Sequence, residues 1–203
     1  MENTSINTEE NIRNAAHKIF TQKGFEGTSV QDIATEAGTT KSMVNYYFRT
    51  KEKLFTEIFH EEFKKLFSGI GFYLSSDMPL KEKIEKLVAF DIDKLSDIPD
   101  LPIFIMTELH HNPEIVFKNI ESTPVLSLFQ ALNKQIAEEV TEGKIKNIDA
   151  RELFLNIQSL TIFPFLSKPM MMRLFGLDET GFNDMLQRRK KEIPEIVWNS
   201  IKL

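Results

Sequence analysis

The chain of 203 residues has no cysteine. Disulfides and thiolate metal sites are therefore excluded, and a reducing compartment fits. It has only four histidines and one tryptophan. Long apolar runs are missing: the strongest, "LTIFPFL" at Leu160 to Leu166, is far short of the ~20 residues that span a bilayer. The opening "MENTSINTEEN" has neither a basic stretch nor an apolar one, so it does not read as a secretory signal. These absences together point to a soluble, cytoplasmic protein with no membrane partner. Also lacking are alternating strand patterns, internal repeats and low-complexity linkers. There is no phosphate-binding loop, no serine-centred elbow and no His–carboxylate pair at ligand spacing, so neither an enzyme nor a cofactor is expected.

What is present suffices for a folded chain. Hydrophobic residues make up 41% and charged residues 27%, with a formal net charge of -5. That composition supports a core and argues against disorder. An acidic balance weighs mildly against nucleic acid, whose partners are usually basic. The local balance differs. Between Thr39 and Lys53, Lys41, Arg49, Lys51 and Lys53 oppose Glu52 alone, a net +3.

Nearly every segment carries the helical period. Ile12, Ala15, Ala16, Ile19 and Phe20 fall at i, i+3, i+4, i+7, i+8, with Thr8 as N-cap and Gly24 as the residue after the end. Val30, Ile33, Ala34 and Ala37 form a second, shorter helix, capped by Thr28 or Ser29 and stopped by Gly38. "TKSMVNYYF" is shorter still. Leu54, Phe55, Ile58, Phe59, Phe63, Leu66 and Phe67 then stripe a long helix, which Gly69 and Gly71 weaken near its end. Further amphipathic segments follow. One opens on Thr123 as cap with Pro124 at the first helical position. Another starts after Asp149 and is expected to break near Pro164, and Pro194 predicts a kink or break in the last. The fold class is all-α: three short N-terminal helices feed through a long fourth helix into a bundle of five or six.

The second and third segments make a helix-turn-helix candidate. Ala34 is small where two helices cross, Gly38 allows a left-handed turn, and Ile33, Ala37 and Val44 face inward. The third helix then exposes Lys41, Ser42, Asn45 and Tyr46, polar groups suited to base edges or phosphates in a major groove. Tyr47 and Lys51 lie at its end. A lysine at the start of the next helix opposes the helix dipole, which makes sense if Lys51 and the free N–H groups there both face a phosphate.

These residues resemble the tetracycline-repressor (TetR) family of bacterial transcription regulators. The likeness rests on Ile12 to Phe55: Ala15-Ala16 and Phe20, Gly24-Phe25, Thr28-Ser29, Ile33-Ala34, Ala37-Gly38, then Phe48, Lys51-Glu52 and Leu54. The resemblance implies a DNA-binding domain over residues 1–50 and an effector-binding and dimerisation domain over 51–203. It implies a ligand-responsive repressor that binds a palindromic operator as a homodimer and is released by a small apolar effector. Carried over by position, Thr28, Ser29, Thr40, Lys41 and Lys51 contact phosphate. The sequence departs from the family at Asn45, where a Tyr is usual. Asn bonds adenine bidentately, so Asn45 is expected to read a base, and Tyr46 or Tyr47 to touch phosphate.

In the C-terminal domain, Phe104, Thr107, His110, Phe129, Gln158 and Phe163 are the candidate effector residues, since Phe-rich surfaces suit apolar ligands. Glu108, His110 and His111 do not make a metal site, because adjacent helical residues point about 100° apart. The segment Arg151 to Leu166 is apolar around most of its circumference, which fits burial between subunits. Leu153, Ile157 and Leu160, with Phe182, Met185 and Val197 of the last helix, are the expected dimer contacts. The alternative is an all-α small-molecule-binding or adaptor protein without DNA binding, which would have no need of the polar helix at Lys41 to Tyr47.

Overall fold

A computed structural model describes the backbone of residues 2–111, 113–121 and 125–203, and their side chains except at 2–7, 108, 111, 115–116, 118–119 and 125–126. Eleven helices occur among the described residues: α1 (Glu2–Lys23), α2 (Val30–Glu36), α3 (Lys41–Phe48), α4 (Lys51–Ser75), α5 (Leu80–Asp97), α6 (Leu101–His111), α7 (Pro113–Glu121), α8 (Val125–Thr141), α9 (Ala150–Leu166), α10 (Lys168–Phe175) and α11 (Glu179–Ile201). Among the described residues there is no strand, and the one non-helical pairing is a bridge between Ile145 and Lys202. The all-α reading is correct, but seven helices follow α4, because the Pro113 region and the stretch after Ser167 each form a helix of their own.

The chain divides into two compact units, Met1–Lys64 and Lys65–Leu203. The division falls inside α4, whereas the sequence reading puts the boundary at residue 50. In the first unit α1, α2 and α3 pack on one another. Their apolar faces bury Ile12, Ala16, Phe20, Ile33, Ala34, Val44 and Phe48, with Leu54, Ile58 and Phe59 from the start of α4. Each large side chain taken from water stabilises the fold by about 1.5–3 kcal/mol. Arg13 of α1 ties this unit together: its guanidinium bonds Glu57 and Glu61, each at 3.2 Å, and lies over the Phe48 ring.

In the second unit α5, α9 and α11 pack mutually, and α6, α8 and α10 join them through α9. Leu87, Val88, Ile92, Leu153, Ile157, Leu186, Ile193 and Val197 fill the seam. Two charged groups are buried with them. Asp91 is 1% exposed. It accepts one bond, from Gln158 Nε2 at 2.6 Å, and its other oxygen has no partner. Lys83 is 4% exposed, and its ammonium donates to the Leu74 carbonyl at 3.0 Å and to Gln135 Oε1 at 2.6 Å.

Several helix boundaries differ from the sequence reading. Helix α1 begins at Glu2, so Thr8 lies inside it rather than capping it. Helix α4 runs unbroken past Gly69 and Gly71. Gly69 serves instead as a contact, since a Cβ there would come within 2.0 Å of Phe90 Cζ. Pro164 and Pro194 both sit within continuous helices. Asp149 does cap α9, accepting from the Arg151 N–H. Gly24, Gly38 and Gly143 have φ between 63° and 70°, the left-handed region that a helix stop requires. The expected cap at Thr123–Pro124 lies outside the described residues.

Candidate functional site

The turn between α2 and α3 is built from local chemistry. Ser29 is the N-cap of α2 in a reciprocal capping box. Its hydroxyl accepts from the Asp32 N–H at 3.2 Å, and Asp32 Oδ2 accepts from the Ser29 N–H at 2.9 Å. Lys23 bonds Asp32 Oδ1 at 2.8 Å, and that cation together with the Ser29 donors holds the Asp32 carboxyl well below the usual carboxylate range. Gly38 makes the turn at φ 63°. Thr40 then caps α3, its hydroxyl accepting from the Met43 N–H at 3.3 Å.

Two buried anchors, Val44 and Phe48, fix how α3 is rolled. Their burial leaves Lys41, Ser42, Asn45 and Tyr46 exposed along one side of α3. Tyr46 is 76% exposed, among the most open large apolar side chains, and meets Tyr47 edge-on at 5.2 Å between ring centres. Lys41, Ser42, Asn45 and Tyr46 are thus exposed together on α3, with Thr40 exposed at its cap and Tyr47 half-buried near its end, while Ser29 is exposed just before α2.

Two of the expected phosphate ligands are placed otherwise. Thr28 is 3% exposed, and its hydroxyl donates to the Gly24 carbonyl at 2.7 Å. A buried hydroxyl in that position pins the α1–α2 turn and is not offered to a ligand. Lys51 Nζ donates to the carbonyls of Phe25 and Thr28, each at 3.0 Å, and lies 4.0 Å from the Phe25 ring centre. The cation at the start of α4 is thus held by the α1–α2 loop, which is the physical answer to its unfavourable place on the helix dipole.

The residue that sequence reasoning missed is Arg49. It is the C-cap of α3 at φ 62°, ψ -56°, and the one non-glycine residue with positive φ among those described. A glycine is the usual flag for such a position, and here no glycine is present to give it.

Two family models match the chain: "Bacterial regulatory proteins, tetR family" over residues 12–58, and "Tetracyclin repressor-like, C-terminal domain" over residues 81–197. The second alone covers more than half of the chain. The protein belongs to the TetR family. It is a DNA-binding transcriptional regulator of helix-turn-helix type. A curated relative is the biofilm operon icaADBC HTH-type negative transcriptional regulator IcaR of Staphylococcus aureus, 28% identical over 79% of this chain and 83% of its own. The HTH-type transcriptional repressor NicS of Pseudomonas putida is 34% identical over 51% of this chain and 49% of its own. Among solved structures, the fold matches the ketosteroid transcriptional regulator KstR2 of Mycobacterium tuberculosis with a TM-score of 0.64, at 17% identity over 96% of this chain and 95% of that one. A TetR/AcrR-family regulator from Thermobifida fusca matches with a TM-score of 0.62, at 17% identity over 92% and 96%.

TetR-family membership directs attention to the second unit, where the expected effector residues differ in burial and in partners. Phe104 is buried, Phe129 packs edge-on against Phe154 at 5.4 Å, and Gln158 is engaged by Asp91. Thr107 and His110 are exposed, and Phe163 is 55% exposed. The side chains of Glu108 and His111 lie outside those described, and no group of metal-ligating residues occurs among the described ones. An apolar cavity between Leu74, Leu80, Ile84, Leu87, Leu132 and Ile157 holds about 10 Å³, room for a single water at most. A wider polar cleft of about 480 Å³ opens beside Ser75, Asp77, Gln135 and Glu139, with Lys83 in its wall.

Four of the six expected dimer contacts are buried within the chain itself. Leu153, Ile157, Phe182 and Val197 are at most 3% exposed, the Phe182 ring standing edge-on to Phe165 of α9 at 6.5 Å, and Leu160 and Met185 are half-buried. On the last three helices the outward apolar residues are Leu155, Phe163 and Leu166 on α9, Met170, Leu174 and Phe175 on α10, and Ile196 on α11, each at least 36% exposed. Among the described residues no helix is long and apolar enough to cross a membrane.

Proposed function

We propose that this regulator is a cytoplasmic, ligand-responsive repressor that binds a roughly palindromic operator as a homodimer and is released by a small effector held in the helical bundle. The observation that carries the DNA reading is the exposed polar side of α3. Lys41, Ser42, Asn45 and Tyr46 stand outward from a helix whose inner side, Val44 and Phe48, is buried. A helix with that division presents hydrogen-bonding groups to a major groove while the fold holds its axis. Asn45 reads a base, preferentially adenine. Thr40, Lys41, Ser42 and the tyrosines contact the backbone or flanking bases, and Ser29 contacts phosphate at the start of α2. Repression is the activity named for both IcaR and NicS. The homodimer reading is supported by the apolar side chains exposed on α9 and α10, since contiguous apolar patches on a soluble chain mark interaction surfaces. An effector acts by binding one conformation of the dimer better than another.

The test is fluorescence anisotropy with a duplex carrying the promoter region of the protein's own gene, against a scrambled duplex of equal length. Tight binding to the first, weakened steeply by salt, is expected. Asn45→Ala should narrow the gap between the two duplexes without unfolding the protein. Equal binding of both duplexes by the wild type would refute operator recognition.

A further inference from the structure

We propose that Arg49, rather than Lys51, supplies the phosphate-binding cation at the α3–α4 junction, and that the chain tolerates a strained backbone there in order to hold its guanidinium outward. The inference deepens the DNA-binding reading above and rests on it. At φ 62°, ψ -56°, with the Thr50 N–H donating to the Phe48 carbonyl at 2.7 Å, Arg49 is the centre of a three-residue turn of the rare, strained hand. The other described residues with positive φ are Gly24, Gly38, Gly143 and Gly176. Wherever else the backbone turns this way, the sequence uses the residue that does so without strain. An arginine kept in such a conformation points to a role for its side chain.

That role is not met inside the chain. Among the described residues the Arg49 side chain is exposed and makes no hydrogen bond, ion pair or ring contact. Arg13 offers a contrast, being engaged by two carboxylates and a ring. Lys51 offers another, with its ammonium on two carbonyls. Arg49 follows directly on α3, whose exposed groups are Lys41, Ser42, Asn45 and Tyr46. It also precedes the α4 N-terminus, where Thr50 accepts from the Lys53 N–H at 3.1 Å. A guanidinium so placed matches a phosphodiester oxygen pair bidentately. The competing explanation is a cation that merely complements the C-terminal dipole of α3, and it makes the opposite prediction for stability.

The test uses the full-length protein with three variants, Arg49→Gly, Arg49→Lys and Lys51→Met. Binding to the promoter duplex is followed by anisotropy across a salt series, alongside thermal melting. Arg49→Gly is expected to weaken binding by about tenfold and to lower the slope of log K against log salt by about one per subunit. Its melting midpoint should stay level or rise, because strain is relieved. Arg49→Lys should keep the slope, and Lys51→Met should keep the slope while melting lower. A wild-type slope in Arg49→Gly overturns the proposal, as does a lower midpoint for that variant or loss of the slope increment in Lys51→Met. Wild-type protein that binds no duplex at low salt overturns the DNA reading and this proposal with it.

Discussion

Asp91 makes the second unit's stability depend on pH in a direction opposite to that of most carboxylates. Burial raises its carboxyl to about 7, only partly offset by the Gln158 hydrogen bond. An aspartate raised in the folded state is fully compatible with the fold below its unfolded value of 3.8. Its contribution is then lost as pH rises through 7. The whole difference corresponds to about 4 kcal/mol, at about 1.4 kcal/mol per tenfold change in acidity. Between about pH 5 and about pH 8 the folded state should lose about 2–3 kcal/mol from this group alone. Asp91→Asn removes the titration and keeps the shape. Its amide places a donor where one Asp91 oxygen has no partner, a cost that does not vary with pH. The measurable quantity is therefore the change with pH of the difference in melting midpoint between wild type and variant, in which other titrating groups cancel. It should move by about 5–10 °C in favour of the variant from about pH 5 to about pH 8. A difference that stays constant across that range would mean that Asp91 ionises as easily in the fold as outside it, and the burial argument would fail.

Three further outcomes follow from packing. Gly69→Ala should destabilise by about 1–3 kcal/mol by overpacking, although alanine is the better helix former by about 1 kcal/mol. Its Cβ meets the Phe90 ring, and Phe90→Leu in the same chain should recover part of the loss on thermal melting. Lys51→Met should cost about 1–3 kcal/mol, because two loop carbonyls lose their donor, read as an earlier midpoint in denaturant. Leu174→Glu combined with Phe175→Glu should convert a dimer to a monomer in sedimentation velocity while helicity is unchanged. Both side chains are over 60% exposed, so a dimer that persists would put the subunit interface elsewhere.

The parts of the fold that were legible are those set by local period and local capping. Val44 and Phe48 could be assigned inward from spacing alone, and with them the outward set on α3. The choice between Thr28 and Ser29 was readable too. Asp32 stands three residues after Ser29, where a capping box needs its acceptor, and a residue preceding the cap is free to turn inward. Asp91 and Lys83 carried a signal that was overlooked. Each sits four places from Leu87, on the stripe of Leu80, Ile84, Leu87, Val88, Ile92 and Leu95, so the helical period itself puts both on the buried side. Other features were out of reach. The partners of Lys51 lie 23 and 26 residues away, at backbone carbonyls that every residue possesses. Helix α9 is apolar on several sides, and its own sequence does not say which side meets α5 and which is left outside. Arg49 has no residue-type marker for its backbone, since an arginine in a left-handed turn reads as any arginine.

Were the outward apolar residues on α9 and α10 the subunit contact proposed above, they would tie the regulator's working state to its abundance. A subunit that covers Phe163, Leu174 and Phe175 only by pairing gains their burial by mass action. Each tenfold dilution then withdraws about 1.4 kcal/mol from the assembled form. A transcription factor held at a few copies per cell works at the dilute end of that scale. Gene dosage would set endurance to heat as well as occupancy of DNA, with no change in the sequence of either subunit.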